Sequence, residues 1–134
     1  MTYYFSKTLN APFDAAVVKV KAALAYEGFG VISEIDIRQT LKTKIGVEFR
    51  PYLILGTCNP ALAHEALLLE DKVGLMLPCN VIVQEADDGL VEVAAIDPAA
   101  SMQSIDNPAL RAQATVVGEK LKAALERLKE PPSG

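Results

Sequence analysis

The sequence predicts an α+β domain in which a largely antiparallel five-stranded sheet carries helices packed on one face. Five segments have strand character, two long segments repeat their apolar residues at helical spacing, and one consecutive strand pair is joined by the turn dipeptide Asp88-Gly89. Two amphipathic helices must each bury a stripe, and a sheet with one apolar face is the economical place to do so. The expectation is one domain over residues 1–130, followed by a flexible tail at 131–134.

The elements follow in order. "TYYFSKTL" alternates and is rich in aromatic and β-branched residues, as a strand requires. In "NAPFDAAVVKVKAALAYEGFG" the period changes: Phe13, Val17, Val20 and Leu24 form a helical stripe, with Asn10 or Pro12 near its start and Gly28 and Gly30 at its stop. "GVISEIDI" is the second strand. "DIRQTLKTKIG" is a short helix with Ile37, Leu41 and Ile45 on one face, Asp36 and Gln39 in capping-box spacing, and Gly46 at its end. "PYLILGTC" is apolar almost throughout, the pattern of a strand covered on both faces.

Asn59-Pro60 then starts another helix, because Asn accepts from an orphan backbone N–H and Pro fits the first helical position without losing a bond. "LPCNVIVQEADDGLVEVAAID" reads as a hairpin of two strands. Asp97-Pro98 opens a short helical turn. Asn107-Pro108 opens the last helix, whose stripe runs through Leu110, Ala114, Val117, Leu121, Leu125 and Leu128.

Composition limits the function classes. The chain has 134 residues, is 51% hydrophobic and 22% charged, and has a net charge of -4. It has ample material for one core, and no basic run that would capture a phosphate backbone, so nucleic acid is not expected as a partner. No apolar run approaches the roughly 20 residues of a membrane-spanning helix, so no membrane partner is expected. "MTYYFSKTLNAPF" lacks a basic stretch followed by an apolar segment, and the expected location is cytoplasmic. Two cysteines are too few for a disulfide framework and are expected as thiols in a reducing compartment.

Those cysteines are the centre of the candidate site. Cys58 ends a strand directly before the Asn59-Pro60 helix start, where the partial positive charge of a helix N-terminus favours thiolate; burial as a small apolar residue is the competing explanation. Cys79 follows Pro78 at the opening of the hairpin. The pair meets only if the two strand ends coincide. His64, the only histidine, lies one helical turn inside the helix after Cys58 and off its most apolar stripe, as a solvent-facing ring would. Cys58, Cys79 and His64 together supply three ligands, one short of a closed structural zinc site, although soft thiolates also suit Cu(I).

Other candidates for binding a ligand are Asn59, Arg50, Tyr52, Glu34 and Asp36. Glu34 and Asp36 would share a strand face and could do acid/base work if one were desolvated, but helix capping is the ordinary role of such a pair. Arg50 could hold an anion, against a surface pairing with Glu48 or another carboxylate. Tyr52 offers a hydroxyl or simply a ring to pack. Phosphate loops, HExxH, GxSxG and CxxC are all absent from the sequence. Whether the protein is an enzyme, and which cofactor it would use, therefore stays open.

The ordered combination of "SEID", "RPYLILGTCNP", "LPCNV" and "AIDP" resembles the domain of unknown function 302 family over most of the chain. The resemblance implies a small α+β fold similar to the TATA-binding-protein-like arrangement, assembling as a homodimer. It carries over no catalytic role. The leading expectation is a small cytosolic binding or accessory domain with a cleft near Cys58 and Cys79 for an unidentified small molecule. The alternatives are a thiol redox protein, with Cys58 reactive and Cys79 resolving, and a soft-metal binder for Cu(I) or Zn.

Overall fold

A computed structural model describes residues 2–128, and the expected tail at 131–134 lies outside the described residues. The elements are β1 (Tyr4–Leu9), α1 (Phe13–Tyr26), β2 (Gly30–Asp36), α2 (Ile37–Ile45), β3 (Tyr52–Cys58), α3 (Pro60–Leu69), β4 (Cys79–Glu85), β5 (Val91–Ile96), α4 (Pro98–Ser101) and α5 (Pro108–Glu126), with a 3-10 turn at Asp71–Met76. The strands form one sheet in the order β1-β5-β4-β3-β2, and every neighbouring pair is antiparallel. The predicted α+β class is the one observed.

Strand alternation decides the faces. Leu9 on β1, Leu55 on β3, Val81 and Val83 on β4, and Val91, Val93 and Ala95 on β5 are buried against α1 and α5. The helices contribute Val20 and Leu24 from α1 and Leu121 and Leu125 from α5 to the same core. Burying each Leu or Val of this kind stabilises the fold by about 1.5–3 kcal/mol relative to leaving it exposed. A smaller apolar cluster, with Val73, Met102 and Leu110 at its heart, ties α3, the 3-10 turn and α4 to the first half of α5.

Helix starts use the predicted chemistry. Asp36, Asn59, Asp97 and Asn107 each accept a backbone N–H from the first turn of the helix they precede. At α2 the capping box is only half made, because the Gln39 side chain turns forward and donates to Thr43 Oγ1 at 3.0 Å. Helix α1 has Pro12 at its N-cap position and so no side-chain cap. The hairpin turn has Asp88 at φ 64° and Gly89 at φ 73°, the paired positive values that match the twist of the flanking strands.

One irregularity positions the site. Between β2 and β3 the register shifts between Val31 and Ser33, so Ile32 is an extra residue with no partner on β3. It projects from the sheet edge and is 65% exposed.

Candidate functional site

Strands β3 and β4 meet at the end of the sheet where β3 runs out and β4 begins. Their last paired residues are Thr57 and Cys79. Thr57 is 1% exposed and its hydroxyl donates to the Cys79 carbonyl oxygen at 2.7 Å, which fixes this corner. Cys58 is one residue further on, paired with Gly30 of β2. Both cysteines are free thiols; Cys58 is half-buried and Cys79 is buried.

A cavity of about 340 Å³ opens at this corner. Thr57, Cys58 and Cys79 form its base, Leu62, Ala63, Ala66 and Leu67 of α3 form one wall, and Gln113, Ala114 and Val117 of α5 form another. Phe29, Leu77, Pro78, Pro98 and Met102 close it, and the bulged Ile32 stands at its edge. Its size falls within the range of small-molecule sites, which are concave and mostly apolar with a few placed polar groups. Among the described residues, none that lines it carries a formal charge.

The polar groups at its wall are held in place. Asn59 Oδ1 accepts from the Leu62 N–H at 3.2 Å, and Gln113 Nε2 donates to the Leu62 carbonyl at 3.0 Å and to Glu65 Oε2 at 3.0 Å. Gly28, at φ 88°, leaves room for Asn59, since a Cβ there would come within 2.9 Å of Asn59 Nδ2. The Cys79 thiol is pushed up to about 11, first by burial and then by the nearby Cys58. It is therefore protonated at neutral pH and acts as a soft apolar surface.

The other sequence candidates lie elsewhere. His64 is exposed on α3 and is not among the cavity-lining residues. Among the described residues no three His, Cys, Asp or Glu side chains gather as an ion-holding group, so the donor set Cys58, Cys79 and His64 does not assemble. Glu34 accepts from Lys21 Nζ at 3.1 Å on the exposed helix side of β2, and Asp36 caps α2. Among the described residues Arg50 pairs with no carboxylate: Glu48 takes Lys42, while Arg50 Nε donates to Gln84 Oε1 at 2.9 Å. The guanidinium also lies 4.4 Å from the Phe49 ring centre and 5.8 Å from that of Tyr52. Tyr52 begins the strand that Cys58 ends, about 20 Å away at the rise of an extended chain. Tyr52 and Asp36 border a separate, more polar groove with Asp14 and Arg38.

The model of the family described as domain of unknown function DUF302 matches residues 5–128. The chain belongs to the DUF302 family. A solved structure, the crystal structure of an uncharacterized conserved DUF302 protein from Bacillus stearothermophilus, superposes with a TM-score of 0.89 at 26% identity, covering 96% of this chain and 100% of that one. No curated protein matches the chain.

In this DUF302 chain, sequence reasoning found the cavity's base and missed most of its walls. Leu62, Ala66, Ala114 and Val117 sit on helical stripes that read as core, and the stripes do face inward; they line a space that is incompletely filled. No periodicity distinguishes the two cases. Gln113 carried no signal, because its role depends on α3 and α5 lying side by side.

Proposed function

We propose that this DUF302 domain is a binding module that holds a small apolar molecule in the cavity beside Cys58 and Cys79. The observation that carries the reading is an uncharged, apolar-walled cavity of about 340 Å³ where the ends of β3 and β4 meet α3 and α5. A concave site walled mostly by apolar side chains, with a few placed polar groups, is the usual form of a small-molecule site. A native mass spectrum of freshly purified protein, compared with the denatured spectrum of the same sample, tests it. Added mass on the folded chain that disappears on denaturation supports the reading, and Ala63→Phe, which fills the space, should abolish it.

A thiol redox role is the second reading, favoured by one observation: the two thiols border the same cavity and Cys58 raises the pKa of Cys79. Cys79 at about 11 makes a slow resolving thiol at neutral pH, so the binding role is the better supported of the two. Retention of both free thiols after mild treatment with diamide separates the two readings.

The same proposal includes a homodimer in a reducing, cytoplasmic setting, which suits two free thiols. The sheet face away from α1 and α5 carries a cross-strand row of exposed Ile35 and half-buried Ile54 and Ile82, an apolar surface that a second copy would cover. Sedimentation at micromolar concentration tests this: a dimer mass supports it and a monomer counts against it. No helix in the described residues is long and apolar enough to cross a membrane.

A further inference from the structure

We infer that the cavity selects an uncharged molecule of about two fused rings that carries a single neutral hydrogen-bonding group, and that it discriminates against carboxylates and ammonium groups. This rests on the binding reading above and specifies the class of ligand.

Size comes first. At about 340 Å³ the cavity is about twice the 150 Å³ of an engineered apolar cavity that holds benzene. A two-ring body fills such a space, whereas a single ring leaves it half empty and forfeits dispersion contacts on the open side.

Charge comes second. The lining side chains that carry polar atoms are Thr57, Cys58, Asn59, Cys79 and Gln113, and none of them carries a formal charge in its ordinary form. An ion placed here would lose its water without gaining a counter-charge from the lining, which costs far more than burying a neutral amide or hydroxyl. Glu65, hydrogen-bonded to Gln113 at 3.0 Å but outside the lining, adds repulsion against an anion and some attraction for a cation, so of the two ions the carboxylate is the more strongly disfavoured and the ammonium is disfavoured by its lost hydration alone.

Hydrogen bonding comes third. The two wall amides are oriented by their bonds to one residue, Leu62. Asn59 uses its carbonyl oxygen there and Gln113 uses its amino group. Those bonds do not use the Asn59 amino group, a donor, or the Gln113 carbonyl oxygen, an acceptor. The complementary group on a ligand is one that accepts or donates without charge, such as a carboxamide, a ketone or an alcohol.

The test is calorimetric titration of the full chain at pH 7 with four probes of one shape: naphthalene, 2-naphthamide, 2-naphthoate and 2-naphthylmethylammonium, with amide chemical shifts of Leu62, Ala63 and Gln113 as the site reporter. The expected order puts 2-naphthamide about fivefold tighter than naphthalene, as one net hydrogen bond gives, and both charged probes at least tenfold weaker than the amide. Gln113→Leu should erase the advantage of the amide while leaving naphthalene binding in place, so a folding defect is recognised by the loss of both. A charged probe that binds as tightly as the amide overturns the neutral class, and naphthalene that matches the amide overturns the hydrogen-bonding element. In either case shifts at the reporters leave the binding reading standing. If no probe moves the reporters, the binding reading itself fails.

Discussion

Thr57 and Cys79 face each other across β3 and β4, both buried, and the threonine hydroxyl donates to the cysteine carbonyl at 2.7 Å. The bond holds together the two strand ends that form the base of the cavity. Thr57→Val keeps the shape and removes the donor. It should lower the unfolding free energy by about 1–2 kcal/mol, while Thr57→Ser, which retains the hydroxyl, should lose less from that bond. Urea unfolding of both variants checks this, and a Thr57→Val variant as stable as wild type contradicts it.

Cys79 makes stability depend on pH in the alkaline range. Burial raises its pKa to about 11, above the roughly 8.5 of a free thiol. Between those values the unfolded chain has released the proton and the folded chain still holds it, so unfolding is increasingly favoured. The stabilisation is fully present below the free-thiol value and is lost as pH rises through about 11. Denaturation midpoints should therefore fall across that window in wild type, and Cys79→Ala should flatten the fall.

The same burial separates the two thiols in reactivity. With iodoacetamide at pH 8, half-buried Cys58 should be alkylated well before Cys79. Peptide mass analysis over a time course reads the two sites individually. Equal rates would mean that the corner opens freely.

Gly56 sits where β3 passes closest to its surroundings. A Cβ there would overlap Ser33 Oγ and come within 2.8 Å of Pro78 Cγ. The proline ring has little freedom to retreat, so Gly56→Ala should destabilise by about 1–3 kcal/mol. Adding Ser33→Gly should recover part of the loss, because it relieves one of the two overlaps. Thermal melts of the single and double variants measure it.

The fold was readable because its signals are local. Asn59-Pro60, Asp97-Pro98, Asn107-Pro108 and Asp88-Gly89 each specify a terminus or turn through a side-chain bond or a positive φ, and each appears where the sequence put it. The capping box at α2 shows the limit of such reading, since Gln39 had a competing partner in Thr43 one turn on. At the site, Cys58 and Cys79 were visible as strand ends, but their meeting depends on the β3–β4 register. Arg50 misled because a guanidinium near Glu48 looks like half an ion pair; Gln84 and two aromatic rings, distant or ambiguous in sequence, take it instead. The walls of the cavity come from α3 and α5, more than forty positions apart, and only tertiary packing brings Leu62 and Gln113 into contact.

The most direct test of the binding role is a titration of the uniformly nitrogen-labelled chain with naphthalene, followed by amide chemical shifts in wild type and in Ala63→Phe. A ligand seated in the cavity gives saturable shifts confined to the ends of β3 and β4, the first turns of α3 and the middle of α5 in wild type, and none in a folded Ala63→Phe. Shifts spread over the open sheet face, or unchanged binding in the filled variant, would contradict the binding role.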